Sequence, residues 1–202
     1  MDILNTLSLK SNRQIKINFN GGDLSSDAGL LLIKEFAAKI GFAKLIKKIF
    51  KTDDKSIRFH KDNENLMQML YQIISAYFED DCADELTSDP VFHAILEKKS
   101  LASQPTLSRF FNRMNEDTLI QFDDIDKSLR DIIYSIKRPE HMLLDLDSTL
   151  FGTYGKQEGE GFNFHYQAHG YHPLLCYDGL TGDLLKAQLR DGTLHCSNDA
   201  DK

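Results

Sequence analysis

The stretch "MLLDLDSTLFGTYGKQEG", residues 142–159, decides how the chain is partitioned. Before Pro139 the apolar residues recur at helical spacing, and after it they alternate. In "HMLLDLD" the alternation predicts a strand, with Asp145 and Asp147 on one side and Leu144 and Leu146 on the other. Two carboxylates that close repel unless a cation or a shared proton relieves them. Oxygen donors at a strand end suit Mg2+, which keeps some of its water and takes further oxygens from phosphate. Metal-assisted phosphate chemistry is the functional expectation. The plain alternative is a turn: Asp before Ser-Thr is a common turn former, and Asp145 could face solvent on an edge strand.

Towards the amino terminus the pattern is helical. "AGLLLIKEFAAKI" predicts a helix that Ser25, Ser26 or Asp27 can cap, and Gly41 interrupts it. Phe42, Leu45, Ile46, Ile49 and Phe50 then form one apolar stripe, with Lys44, Lys47, Lys48 and Lys51 off it. Leu66, Leu70, Ile73, Ile74 and Tyr77 predict another helix. "SDPVFHAILEKK" starts one with Asp89 as cap and Pro90 first, and "SQPTLSRFFNRM" starts the next near Pro105. Leu119 to Ile136 extend a long helix ending at Lys137. Near the start, "RQIKINF" alternates as a strand, followed by the loop "NGGDLSSD". Beyond the opening stretch, "FNFHYQAHGYHPLLCYD" is strand-rich. "DGLTG" is turn chemistry, and "DLLKAQL" pairs back as a hairpin arm.

Composition narrows the classes. Of 202 residues 41% are hydrophobic, enough for a core. No run approaches the roughly 18–20 apolar residues of a membrane span, and the start lacks the order of a signal peptide. Cys82, Cys176 and Cys196 are odd in number and scattered, which predicts reduced thiols and a cytoplasmic chain. Net charge is −7, yet Lys34 to Lys61 holds nine Lys/Arg against three Asp/Glu, a basic segment that can meet phosphate. A solvated helix face is the plain account of the same lysines. "QPTLSRFFNR" can begin a groove-reading helix, with Arg109 and Arg113 as candidate DNA contacts, or simply an internal helix. His165, His169, His172 and Cys176 lack the spacing of a tetrahedral zinc site and are expected to be ordinary strand residues.

Two families share the aspartate string. "DLDSTLF" resembles the first motif of haloacid-dehalogenase-like phosphohydrolases, which would make Asp145 the nucleophile and Asp147 the acid/base. That family needs a helix soon afterwards, whereas the 55 residues after Asp147 read as strands. The second resemblance is broader. "SSDAGLLLIKEF", "YFEDDCADELTSDPVF", "LASQPTLSRFFNRM", "LLDLDST", "YGKQEG" and "GYHPLLCYDGLTGDLLKAQLR" occur in the order found in one branch of bacterial insertion-sequence transposases of the DDE type. The similarity runs from about Gly21 to Ser197.

That resemblance implies an α+β chain. Residues 1–23 would be a strand and loop, 24–138 a helical DNA-associated region, and 139–202 an incomplete ribonuclease-H-like domain holding its first three antiparallel strands. It implies Asp147 as first acid of the catalytic triad and Mg2+ ligand, with Asp145 supporting. Two Mg2+ ions would serve phosphodiester cleavage and strand transfer. Its partners would be transposon-end DNA and either full-length transposase or a second copy, with no membrane, and the bound protein would sit on the nucleoid. The second Asp and the Glu of the triad come later in the family. The tail "SNDADK" lacks their strand context, so an amino-terminal fragment, inactive alone, is expected. A non-catalytic DNA-binding or regulatory remnant is the competing expectation.

Overall fold

A computed structural model describes residues 6–19, 21, 24–79, 81–198 and 200. Part of the expected opening segment 1–23 therefore lies outside the described residues, as do Asp199 and Asp201 of the tail. The chain is a mixture of seven helices and small antiparallel sheets among the described residues. It divides into two compact units, one closing at Ile125 and one beginning at Asp126.

In the first unit β1 (Thr6–Ser8) pairs antiparallel with β2 (Lys16–Asn18), Leu7 facing Ile17. The strand expected over "RQIKINF" is thus β2, with Ile15 and Ile17 against the core and Phe19 exposed. Six helices follow: α1 (Leu30–Lys39), α2 (Phe42–Ile49), α3 (Asp62–Ile74), α4 (Cys82–Leu86), α5 (Pro90–Leu96) and α6 (Gln104–Phe111). The long α7 (Glu116–Ile136) begins in this unit and ends in the next. Leu9, Leu30, Leu31, Tyr71, Leu86 and Phe92 lie in its main buried cluster. Gly41, at φ 73°, ends one helix and opens the next, a left-handed position that glycine occupies at little steric cost.

Two local expectations need correction. No side chain caps α1: Gly29 occupies the cap, and Asp27 contributes its backbone carbonyl to Leu30 while Ser25 bonds the Asp27 amide. In α3 only part of the expected stripe is buried. Asn65, Leu66, Gln68, Tyr71 and Gln72 are buried, whereas Ile73 and Ile74 are exposed. Gln68 explains part of the rotation. Its amide accepts from the Ala102 N–H and donates to the Ala102 carbonyl, each at 2.8 Å, so a polar group is buried with its bonds made.

The start of α5 forms as its sequence dictates. Asp89 Oδ1 accepts from the Val91 and Phe92 amides at 2.7 and 2.9 Å, and Pro90 takes the first turn, where no N–H is needed. Asp89→Ala is expected to lower stability by about 1 kcal/mol, read as an earlier urea midpoint with an unchanged slope. An unchanged midpoint would mean water serves these amides equally well.

In the second unit six strands among the described residues form two three-stranded sheets. The first has the order β3 (Leu144–Ser148), β7 (Leu174–Asp178), β8 (Leu184–Gln188). The second has the order β4 (Phe151–Gly152), β6 (Ala168–Tyr171), β5 (Gly161–Asn163). The three-strand expectation thus covers half of what forms. The register shows why the halves belong together. Ser148 faces Leu174 and Phe151 faces Tyr171, so the pairing steps from one sheet to the other without a slip. Pro173 lies at the interruption and has no N–H to donate to a ladder. One long antiparallel ribbon is therefore divided, and each half gains a different third strand.

Three glycines hold the second sheet and the following segment together. A Cβ on Gly170 would lie 2.2 Å from the Phe151 carbonyl oxygen, and one on Gly192 would lie 2.0 Å from that of Gly170. A Cβ on Gly161 would lie 2.6 Å from the Thr193 side-chain methyl and 3.2 Å from the Thr193 amide nitrogen. Arg190, buried, donates from Nε to the His172 carbonyl at 3.0 Å, and Nη1 donates to that of Asn198. Asn163 Nδ2 donates to the Gly192 carbonyl at 2.9 Å. From α7, Arg130 pairs with Asp126 and donates to the Leu185 carbonyl.

Candidate active site

Antiparallel pairing fixes the two aspartates. Asp145 faces Tyr177 and Asp147 faces Leu175, two steps apart along β3, so both carboxylates leave the same face. Both residues are exposed. Asp147 Oδ1 accepts from the Ser148 amide at 2.8 Å, which leaves Oδ2 without that tie. The strand end is itself anchored: Tyr166, on the turn between β5 and β6, donates its hydroxyl to the Ser148 carbonyl at 3.1 Å. A groove of about 720 Å³ opens there, lined by Asp147, Ser148, Tyr166, His172 and His195 among others.

The three histidines weighed from the sequence make local contacts. His172 is buried, with Nδ1 2.8 Å from the Leu194 carbonyl oxygen. His169 Nδ1 lies 3.0 Å from a Glu160 oxygen. His165 lies in the turn after β5, not on a strand shared with His169, and its ring meets that of Tyr166 edge-on. Cys176 is a free thiol on β7. Among the described residues no three His, Cys, Asp or Glu side chains converge as metal ligands. Asp145 and Asp147 are hard oxygen donors of the kind Mg2+ takes, but two carboxylates on one strand do not make a three-acid, two-ion site.

The expected DNA contacts separate into two groups. Lys44, Lys47 and Lys48 on α2 and Lys51 just beyond it are all exposed, opposite the buried Ile46 and Phe50. Arg109 is exposed on α6. Arg113 is turned inward. Its Nη2 pairs with Asp62 at 2.7 Å, its Nη1 donates to the Arg109 carbonyl, and its guanidinium lies over Phe110. Such a guanidinium braces α6 against the start of α3.

With this geometry in hand, the comparison with known families is decisive. The model of the family described as transposase DDE domain group 1 matches residues 7–202. The chain belongs to that family. Neither the curated proteins nor the solved structures include a match. The strands of this DDE transposase domain also bear on the phosphohydrolase resemblance. No helix follows the aspartate motif among the described residues; β4, β5 and β6 do. The helix that family requires after its nucleophile is therefore missing at that place. No helix of the described residues is long and apolar enough to cross a membrane.

Tyr166, Arg190 and the glycines 161, 170 and 192 did not stand out by motif. Gly161 and Gly170 carry one sequence signal, glycine inside a strand-like run, which marks close backbone approach; Tyr166, Arg190 and Gly192, which lies in a polar turn, carry none.

Proposed function

We propose that the chain acts in DNA transposition by an insertion sequence, with Asp147 as the first acid of the DDE triad and one carboxylate of a Mg2+ site. The observation that carries this is a family match spanning the exposed aspartate at the end of β3. The order β3, β7, β8, all antiparallel with β3 outermost, fits the first three strands of a ribonuclease-H-like sheet. Asp145, on the same face, supports Asp147. Lys44, Lys47, Lys48, Lys51 and Arg109 contact phosphates of transposon-end DNA, and Arg113 orients α6. The motif at residues 102–110 and the hairpin at 171–183 support the branch that shares them.

Catalysis in this reading needs acids beyond those the described residues bring together, so the 202-residue polypeptide binds DNA but does not cut it alone. The test is a gel shift with the element's terminal inverted repeat across a salt series, followed by incubation with Mg2+. A retained complex that weakens as salt rises, with no strand cut, is the expected result. Efficient strand transfer would overturn the need for further acids. Turnover of a simple phosphate ester without DNA binding would return the phosphohydrolase.

A further inference from the structure

The segment between α2 and α3, residues 50–61, carries an unusual tip. Ile57 is 103% exposed and Phe59 is 78% exposed. A single exposed aliphatic side chain needs no explanation. Here two bulky apolar residues stand two positions apart, with exposed Lys55 and Lys61 on either side, in the most basic part of the chain. The tip is also built to hold its shape. Asp54 Oδ1 accepts from the Ser56 amide at 2.9 Å and from its hydroxyl at 2.6 Å. Arg58 pairs with Asp54 on one side of Ile57 and with Asp62 at 3.4 Å on the other. Asp62 in turn accepts from Thr52 Oγ1 and pairs with Arg113. The Ser56 hydroxyl and amide, with Arg58, hold the Asp54 carboxyl down to about 2, so this brace stays charged at any ordinary pH. Behind the tip, Lys98 lies over the Phe59 ring at 5.8 Å and the His60 ring meets it edge-on. Ile57 alone is left with nothing to pack against.

We propose that this braced tip is a wedge for duplex DNA: Ile57 enters a base-pair step and unstacks it, while Lys55 and the α2 lysines grip the flanking phosphates. Apolar side chains inserted between bases, with cations alongside, are how proteins kink DNA. The bracing ion pairs keep Arg58 and both acids engaged with one another, and exposed Lys55 and Lys61 flank Ile57 along the chain. This wedge rests on the DNA-contact role proposed above and adds to it a second mode, deformation of the duplex, that phosphate contacts alone do not supply.

The test uses the whole 202-residue chain and a duplex of about 30 base pairs with 2-aminopurine at a central TA step, the kind of step that unstacks most easily. The parent protein is expected to raise 2-aminopurine fluorescence. Ile57→Ala is expected to abolish that rise and weaken binding about five- to tenfold, with the salt slope unchanged because no charge is removed. The paired Lys47→Ala, Lys48→Ala variant is expected to do the reverse: a shallower slope, with the rise retained at saturation. Ile57 buries nothing, so circular dichroism should match the parent. Equal binding and equal fluorescence for parent and Ile57→Ala would overturn the wedge and leave the DNA contacts standing. Absence of any duplex binding by the parent at low salt would overturn both. Ile57→Ala weakening attachment to phosphatidylserine vesicles instead of duplex would make the tip a lipid anchor and refute the DNA assignment.

Discussion

Gly192→Ala is expected to unfold the second unit or leave it barely stable. A methyl group there would sit 2.0 Å from the Gly170 carbonyl oxygen and 2.6 and 2.8 Å from the backbone oxygen and nitrogen of Gly161. None of these is the movable end of a side chain. Relief requires the segment after β8 to lift away, which breaks the Asn163 and Arg190 bonds that hold it. Overpacking against backbone on this scale costs about 3 kcal/mol or more. The chain has no tryptophan, so amide hydrogen exchange is the better monitor. Protection across β5 and β6 should fall about 100-fold or more. Gly152→Ala is the control, since it stands opposite Gly170 in the same ribbon with nothing within 4 Å of its added carbon. It should change stability by no more than about 0.5 kcal/mol. Equal protection in Gly192→Ala and the parent would mean that the three-glycine contact does not hold this sheet.

The second large effect concerns activity. In cells carrying the element's terminal repeats, a transposase bearing Asp147→Asn is expected to excise the element about 1,000-fold less often, or worse, than the unsubstituted enzyme. The amide keeps the shape and loses the charge that, on the proposed role, would hold a metal ion. Asp145→Asn should cost less, about 10- to 100-fold, as for a group that orients a ligand without being one. Both side chains are exposed, so neither variant should fold differently from the parent. Comparable losses in the two variants would promote Asp145 to an equal partner, and full activity of Asp147→Asn would remove it from the triad.

Much of this was written in the sequence where local chemistry is self-sufficient. The change of period at Pro139, the Asp89-Pro90 helix start and the Asp178–Asp183 turn each rest on neighbours in the chain. The turn closes as its glycine and aspartates predict: the Asp178 amide donates to the Asp183 carbonyl at 2.8 Å, and the Gly182 amide returns to Asp178 at 2.7 Å. What periodicity could not give was any choice made by a distant partner. The inward face of α3 depends on Ala102, 34 residues away, whose backbone rewards an amide over an isoleucine. The second sheet depends on three glycines whose importance is the space they leave empty. For the site, spacing alone put Asp145 and Asp147 on one face. It did not separate the outward lysines from the inward Arg113, because that distinction is made by Asp62 and Phe110.

Among the described residues β3 pairs with β7 alone, so no strand lies along its opposite rim. A neighbour laid parallel along that rim would bring its own last residues level with Asp147, since parallel strands finish at the same end. Building the sheet outward and arming the chemistry would then be a single event. On the proposed role, a chain with that rim bare would hold DNA without cutting it.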